Sequence, residues 1–282
     1  MDTLWVIREM KNRFFSDGVF DLSAQLAYYF LLSVFPFLLV AITLIGYLPL
    51  SADNVLEFIR PYAPAHTHQL IENTLKSILG VQRGNLLSFS ILATLWLTYM
   101  GIQSMVRILN YTFQVEEGRP FLRGVAESLL LVAGLLTAVV ISLLFPIFGS
   151  LISGSILPQL GLTAWSESLW SLMRWLFSSL VLFLAFFCLY YFAPNLRMET
   201  EEAAPGAFFA TLGWQLISLG FSYYVSLGNY SLIYGNLGGL IVLIIWFYLS
   251  AMILIMGGQL NAILYEYRIR SVPWRQGDPD PS

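Results

Sequence analysis

Six times along this chain a long, mostly apolar run passes with no charged residue near its middle. The runs are roughly Ala24–Leu48, Leu86–Ile108, Val125–Ile152, Leu172–Ala193, Pro205–Leu227 and Gly235–Leu264. A helix needs about 20 such residues to cross the hydrocarbon core of a bilayer. Composition agrees: 11% of the 282 residues are charged and 57% are hydrophobic, whereas a soluble domain carries about a quarter charged residues. Too few polar side chains exist to cover a soluble globule of this size. The sequence therefore predicts an all-α, polytopic membrane protein with six transmembrane helices in one domain, residues 24–268. A polar N-terminal segment (1–23) precedes it and a disordered tail (269–282) follows. The third and sixth runs exceed the length needed, which predicts tilt, kinking or extension beyond the membrane.

The basic residues assign the sides. With the N-terminus in the cytoplasm, Arg8, Lys11, Arg13, Arg107, Arg119, Arg123, Arg197, Arg268, Arg270 and Arg275 fall inside, and only Arg60, Lys76, Arg83 and Arg174 fall outside. Positive charge concentrates on cytoplasmic connections, so both termini are expected inside. The first outer connection, about 51–84, reads as two short helices broken at Pro61 and Pro64. In the second, Leu70, Ile71, Leu75, Ile78 and Leu79 share a face, and Glu72 and Lys76 pair at i,i+4. It is expected to lie in the outer interface or to cap the bundle. Tyr28-Tyr29-Phe30 and Tyr190-Tyr191-Phe192 sit at predicted inner span ends, as an interfacial aromatic belt would.

Within the spans three kinds of residue stand out. Pro36 lies about 15 Å along the first predicted helix, near its midplane. It deprives the Leu32 carbonyl of its donor, and Ser33 is placed to help satisfy the freed groups. A helix broken in this way must be covered by protein or line a cavity, as a kink or as a hinge. Gly206, Gly213 and Gly220 share one face of the fifth run, and Gly235 and Gly239 form a GxxxG in the sixth, with Gly257 and Gly258 further on. Small residues let membrane helices approach closely, for static packing or for sliding. The third kind is uncharged and polar: Gln25, Gln103, Asn110, Asn195, Gln215, Asn236, Gln259 and Asn261.

Several chemistries find no support. Cys188 is the single cysteine and reads as a small buried hydrophobe. His66 and His68 are the only histidines, and two residues apart on a helix they diverge, so no metal site and no cofactor are expected. A net charge of −3 argues against a nucleic-acid partner. No Gly-rich phosphate loop, nucleophile elbow or metalloprotease helix occurs, and the chain is not expected to be an enzyme. No carboxylate lies mid-span to couple transport to protons or sodium.

The segments "GVFDLSAQLAYYFLLSVFPFLL", "WLTYMGIQSMVRILNYTF", "YYFAPN", "PGAFFATLGWQLISLGFSYYV" and "YSLIYGNLGGLIVLIIWFYLSAMILIMGGQLNAIL" occur in that order from about Gly18 to Arg268. Together they resemble the YihY/BrkB family of bacterial inner-membrane proteins. The resemblance implies six helices with both termini inside. That family has carried ribonuclease and virulence or serum-resistance labels and has been connected with lipid movement. The ribonuclease label has no metal-ligand cluster or basic groove to rest on here.

The expected function is therefore a transporter or flippase-like protein of the bacterial inner membrane, handling a lipid or another amphiphile. A headgroup would pass along Ser33, Pro36, Gln103, Asn195, Gln215 and Asn236, while Gly206, Gly213, Gly220, Gly235 and Gly239 pack or hinge the helices. The alternatives are a pore or carrier for a small polar solute, and a scaffold that transports nothing. Expected partners are membrane lipids, with envelope proteins or further copies of the chain.

Overall fold

The computed structural model describes residues 3–45, 84–116, 118–120, 123–134, 137–138, 166–196, 198–227 and 238–271. Among them there is no strand, and seven helices account for most of the chain: α1 Thr3–Ser16, α2 Val19–Ile45, α3 Gly84–Thr112, α4 (residues 123–134), α5 Ser166–Phe192, α6 Thr200–Leu227 and α7 Gly238–Ser271. The predicted outer helices, most of the third span, Gly235, Asn236 and the tail beyond 271 lie outside the described residues.

Among the described residues four helices are long and apolar enough to cross a membrane: α2 over Val19–Val40, α3 over Ser88–Thr112, α5 over Leu172–Phe192 and α7 over Gly238–Ile269. The 28 residues of α6 reach about 42 Å at 1.5 Å per residue. That length also suffices, but Thr211, Gln215, Ser218, Ser222 and its glycines make α6 less apolar. On α5, Leu172, Met173, Trp175, Leu176, Leu180 and Leu184 are all exposed, as are Leu212, Leu216, Leu219 and Tyr223 on α6. Large apolar surfaces on a single chain need a non-aqueous neighbour. The protein is a multi-pass membrane protein.

The chain divides into two compact units, residues 28–100 and residues 1–27 with 101–282. In the smaller unit α2 continues through Pro36, which is buried. The Ser33 hydroxyl donates to the Phe30 carbonyl at 2.8 Å. It therefore does not serve the Leu32 carbonyl that Pro36 deprives, contrary to the sequence expectation, because a serine hydroxyl on a helix reaches back three or four residues rather than one.

In the larger unit α1 is a helix the sequence reading did not anticipate. Val6, Met10, Arg13 and Phe14 turn inward at helical spacing while Leu4, Ile7, Arg8, Lys11 and Phe15 stay exposed. The helix closes with the Asp17 N–H on the Arg13 carbonyl at 2.9 Å. Gly18 then turns the chain with φ of +65°, a conformation that suits a residue without Cβ. Val19, Ile108 and Ile255 form a small core, packed by Phe14, Leu22 and Met252.

The tightest crossing joins α6 to α7, which run antiparallel: Gly206 meets Gly257, Gly213 meets Ile253, and the Trp214 and Trp246 rings lie 5.7 Å apart. A Cβ on Gly206 would overlap the Gly257 carbonyl and the Asn261 carboxamide. One on Gly213 would press on Ile253 at 3.1 Å, and at Gly220 or Gly239 one would meet nothing within 4 Å. Only the first part of the predicted glycine face is thus in close backbone contact.

Candidate functional site

Polar groups gather at one end of the larger unit, where α1, the ends of α3, α5 and α7 and the starts of α4 and α6 meet. Asn261 on α7 inserts its carboxamide into the first turns of α6. Its Oδ1 accepts from the Gly206 N–H at 2.6 Å, and its Nδ2 donates to the Ala203 carbonyl at 3.1 Å. Beside it the Tyr190 hydroxyl donates to the Leu254 carbonyl at 2.7 Å. Tyr190 is fully buried, so it is a core residue and not part of the aromatic belt expected from sequence. Its phenol fills the space that the missing side chain of Gly257 leaves, and Leu109 fills the one at Gly258.

A second set fastens α1 to α7. Arg13 grips both carboxylate oxygens of Glu266 at 2.8 Å and reaches Glu9 at 3.1 Å. Burial opposes the charge on Arg13, but the hydrogen bonds and negative charge of Glu266 and Glu9 outweigh it. They hold the guanidinium above its ordinary pKa. The side chain of Gln259 donates to the Arg13 carbonyl at 3.3 Å and to Asp17 at 3.0 Å.

A third set ties the loop after α5. Asn195 receives Arg119 Nε at 3.0 Å, donates through Nδ2 to the Glu116 carbonyl at 2.8 Å, and gives its own N–H to Asn110 at 2.7 Å. Arg119 also donates to the Pro194 carbonyl and pairs with Glu127 at 3.0 Å. At the start of α6, Glu202 accepts from the Glu199 N–H at 2.7 Å, the acidic half of a capping box. Arg268 bridges both carboxylates. Asn110, Gln259 and Asn261 were legible only as polar residues in apolar runs, and their side-chain partners lie far away in sequence.

Of the residues expected along a headgroup path, the larger unit holds Gln103, Asn195 and Gln215, each with its own hydrogen-bond partners. Ser33 and Pro36 belong to the smaller unit and Asn195 to the charged end. Gln103 donates to Ser128 at 2.9 Å, joining α3 to α4, and Gln215 donates to Ser179 at 2.8 Å, joining α6 to α5. This last pair is the candidate site. Ser179 and Gln215 each sit near the middle of a helix, about 20 Å from its start, and each is half-buried. Exposed Leu176, Leu180, Leu212, Leu216 and Leu219 border them along the two helices. Three residues on from Gln215, the Ser218 hydroxyl is buried and has no hydrogen-bond partner among the described residues. Hydrogen-bonding capacity thus sits at mid-depth in a seam with apolar lips.

Residues 10–279 match the family described as virulence factor BrkB. Among curated proteins, a ribonuclease-like protein, YfkH, of Bacillus subtilis (strain 168) is 42% identical over 261 residues, which cover 92% of this chain and 95% of that protein. A UPF0761 membrane protein of Pseudoalteromonas atlantica is 26% identical, covering 92% of this chain and 85% of its own length. One from Alteromonas mediterranea is 27% identical over 89% and 84%. No solved structure matches the chain.

Proposed function

The chain belongs to the family described as virulence factor BrkB, and from that premise we propose that it moves a lipid or another amphiphile across, or out of, the bacterial inner membrane. In this reading six helices span the membrane and both termini are cytoplasmic. The charged end then faces the cytoplasm, in keeping with the basic bias of its connections.

The observation that carries the reading is the α5–α6 seam. A half-buried Gln215–Ser179 hydrogen bond lies at mid-helix between exposed leucines, with the Ser218 hydroxyl unpartnered beside it. A polar headgroup exchanges hydrogen bonds with such a pair while its acyl chains remain against the leucines in lipid. Such an exchange costs little, because one hydrogen bond between membrane helices contributes only about 0.6 kcal/mol. Spans without charge at mid-depth suit a neutral or zwitterionic group better than a bare ion, whose desolvation they do not offset. Gln103–Ser128 offers a second polar pair.

The reading includes no RNA hydrolysis. The chain has two histidines and a net charge of −3, a poor basis for holding a polyanion. Incubation of the purified protein with labelled RNA should leave the RNA intact, and cleavage above that of a mock preparation would refute this part.

Transport is tested in proteoliposomes with headgroup-labelled lipids of several classes. Protein-dependent exchange between leaflets is expected, and Gln215→Leu should slow it about threefold, the factor by which losing about 0.6 kcal/mol from the crossing barrier changes a rate. Folded wild-type protein that exchanges no lipid class would sink the reading.

A further inference from the structure

The outward face of α1 takes no part in the charged end or in the α5–α6 seam. On a helical wheel Leu4, Ile7, Arg8, Lys11 and Phe15 fall within one sector opposite Val6, Met10 and Arg13. All five are exposed, Leu4, Ile7 and Phe15 at 76%, 60% and 66%. The other side of the helix is engaged with α7: Arg13 is held by Glu266 and Glu9, and the partly exposed Trp5 ring lies 5.8 Å from that of Tyr267. Exposed large apolar residues with two cations among them suit neither water nor the bilayer interior.

The tether decides where this face can be. Between Ser16, the last residue of α1, and Val19, the first of α2, stand only Asp17 and Gly18. The apolar span Val19–Val40 begins at once. Two residues reach at most about 7 Å, so α1 is confined to the level at which α2 enters the membrane. The Phe20 ring on the first turn of α2 lies 4.9 Å from Phe14 and 6.4 Å from Phe15, so the apolar surface runs unbroken from α1 onto the span.

We infer that α1 is an interfacial helix whose outer face docks on the headgroup layer of an anionic phospholipid leaflet. Leu4, Ile7 and Phe15 insert at the acyl boundary, and Arg8 and Lys11 reach lipid phosphates. Charge selects the occupant. Arg8 and Lys11 are exposed, whereas two acids of this corner, Glu9 and Asp17, are engaged by Arg13 and Gln259. An amphipathic helix with a basic polar edge is drawn to anionic lipid. This docking is independent of transport. It requires only that α2 spans the membrane.

The test places an environment-sensitive fluorophore at Ile7→Cys in the full-length Cys188→Ala protein, reconstituted in vesicles of zwitterionic lipid with or without 30% anionic lipid, a proportion of about one in three chosen to mimic a charged leaflet. In the anionic vesicles the Ile7 label should be quenched by lipid-borne quencher and shielded from aqueous iodide. Arg8→Gln/Lys11→Gln should reduce that shielding about tenfold or more. A Leu4→Cys label gives a second reading should the first variant misassemble, and a label at Glu201→Cys on the exposed start of α6 serves as the aqueous reference. Iodide reaching both α1 labels as freely as the reference would overturn the proposal. Equal shielding in neutral and anionic vesicles, or in the double variant, would overturn its anionic part.

Discussion

Gly206 and Gly220 are both glycines of the same helix face, yet their environments set opposite expectations for the same substitution. Gly206→Ala drives a methyl into the Gly257 carbonyl and the Asn261 carboxamide, neither of which can swing away, since one is backbone and the other holds two backbone groups. Overpacking of this kind costs about 1–3 kcal/mol. Gly220→Ala meets open space and gains up to about 1 kcal/mol from helix propensity. Thermal unfolding in a mild detergent should therefore show the first variant less stable than the parent and the second at least as stable. Tyr190→Phe should cost about 1 kcal/mol through the lost bond to Leu254, read in the same assay. The sequence exposes these glycines but not their rank, because spacing says which residues share a face and nothing of where a neighbouring helix crosses it. Tyr190 teaches the same lesson: a tyrosine at a span end resembles a belt residue until a second helix buries it.

At the scale of the element, the long apolar runs at Ala24, Leu86, Leu172, Pro205 and Gly235 are helical wherever they are described, because hydropathy locates a span, while α6 begins before its run at a capping box and α7 continues past its run through Glu266 and Arg268. The helix α1 was less legible. Its apolar residues are few and divided between an inward and an outward face, so composition reads as polar while the 3.6-residue period is present throughout. Its attachment to α7 is an ion pair between residues 253 apart in sequence, invisible to any local pattern. Arg13 has a side chain 13% exposed and Glu266 one of 25%. Removing one partner leaves the other charge poorly solvated, so Arg13→Met or Glu266→Leu alone is expected to cost about 3 kcal/mol, and the double variant less than the sum. A double-mutant cycle on unfolding in detergent measures this. Strict additivity would mean that the pair contributes no coupling.

For the whole molecule, membrane character follows from sequence and structure alike, because a shortage of charge has the same consequence in both. The candidate seam did not follow. Ser179 and Gln215 lie 36 residues apart, and whether they meet depends on how α5 and α6 rotate against each other, which the identity of either residue does not encode. Orientation is directly measurable. Single cysteines placed at Ser16 and Glu201 in a Cys188→Ala protein should both resist a membrane-impermeant thiol reagent in intact cells and react after lysis. Labelling of either in intact cells would place the charged end outside.

The contact between Gly206 and Gly257 acts mechanically as a fulcrum. The two helices touch there through backbone atoms, with Asn261 as the pin, so the arms of α6 on either side are unequal. About 9 Å separates the pivot from the first residue of α6, and about 32 Å separates it from the last. A change of crossing angle of about 10° would shift the short arm by under 2 Å and carry the far end through about 5 Å. Motion at the charged end would thus be geared up more than threefold by the time it reached Leu227, while Gln215, nine residues beyond the pivot, would travel about 2 Å, the scale on which one hydrogen-bond partner is exchanged for another.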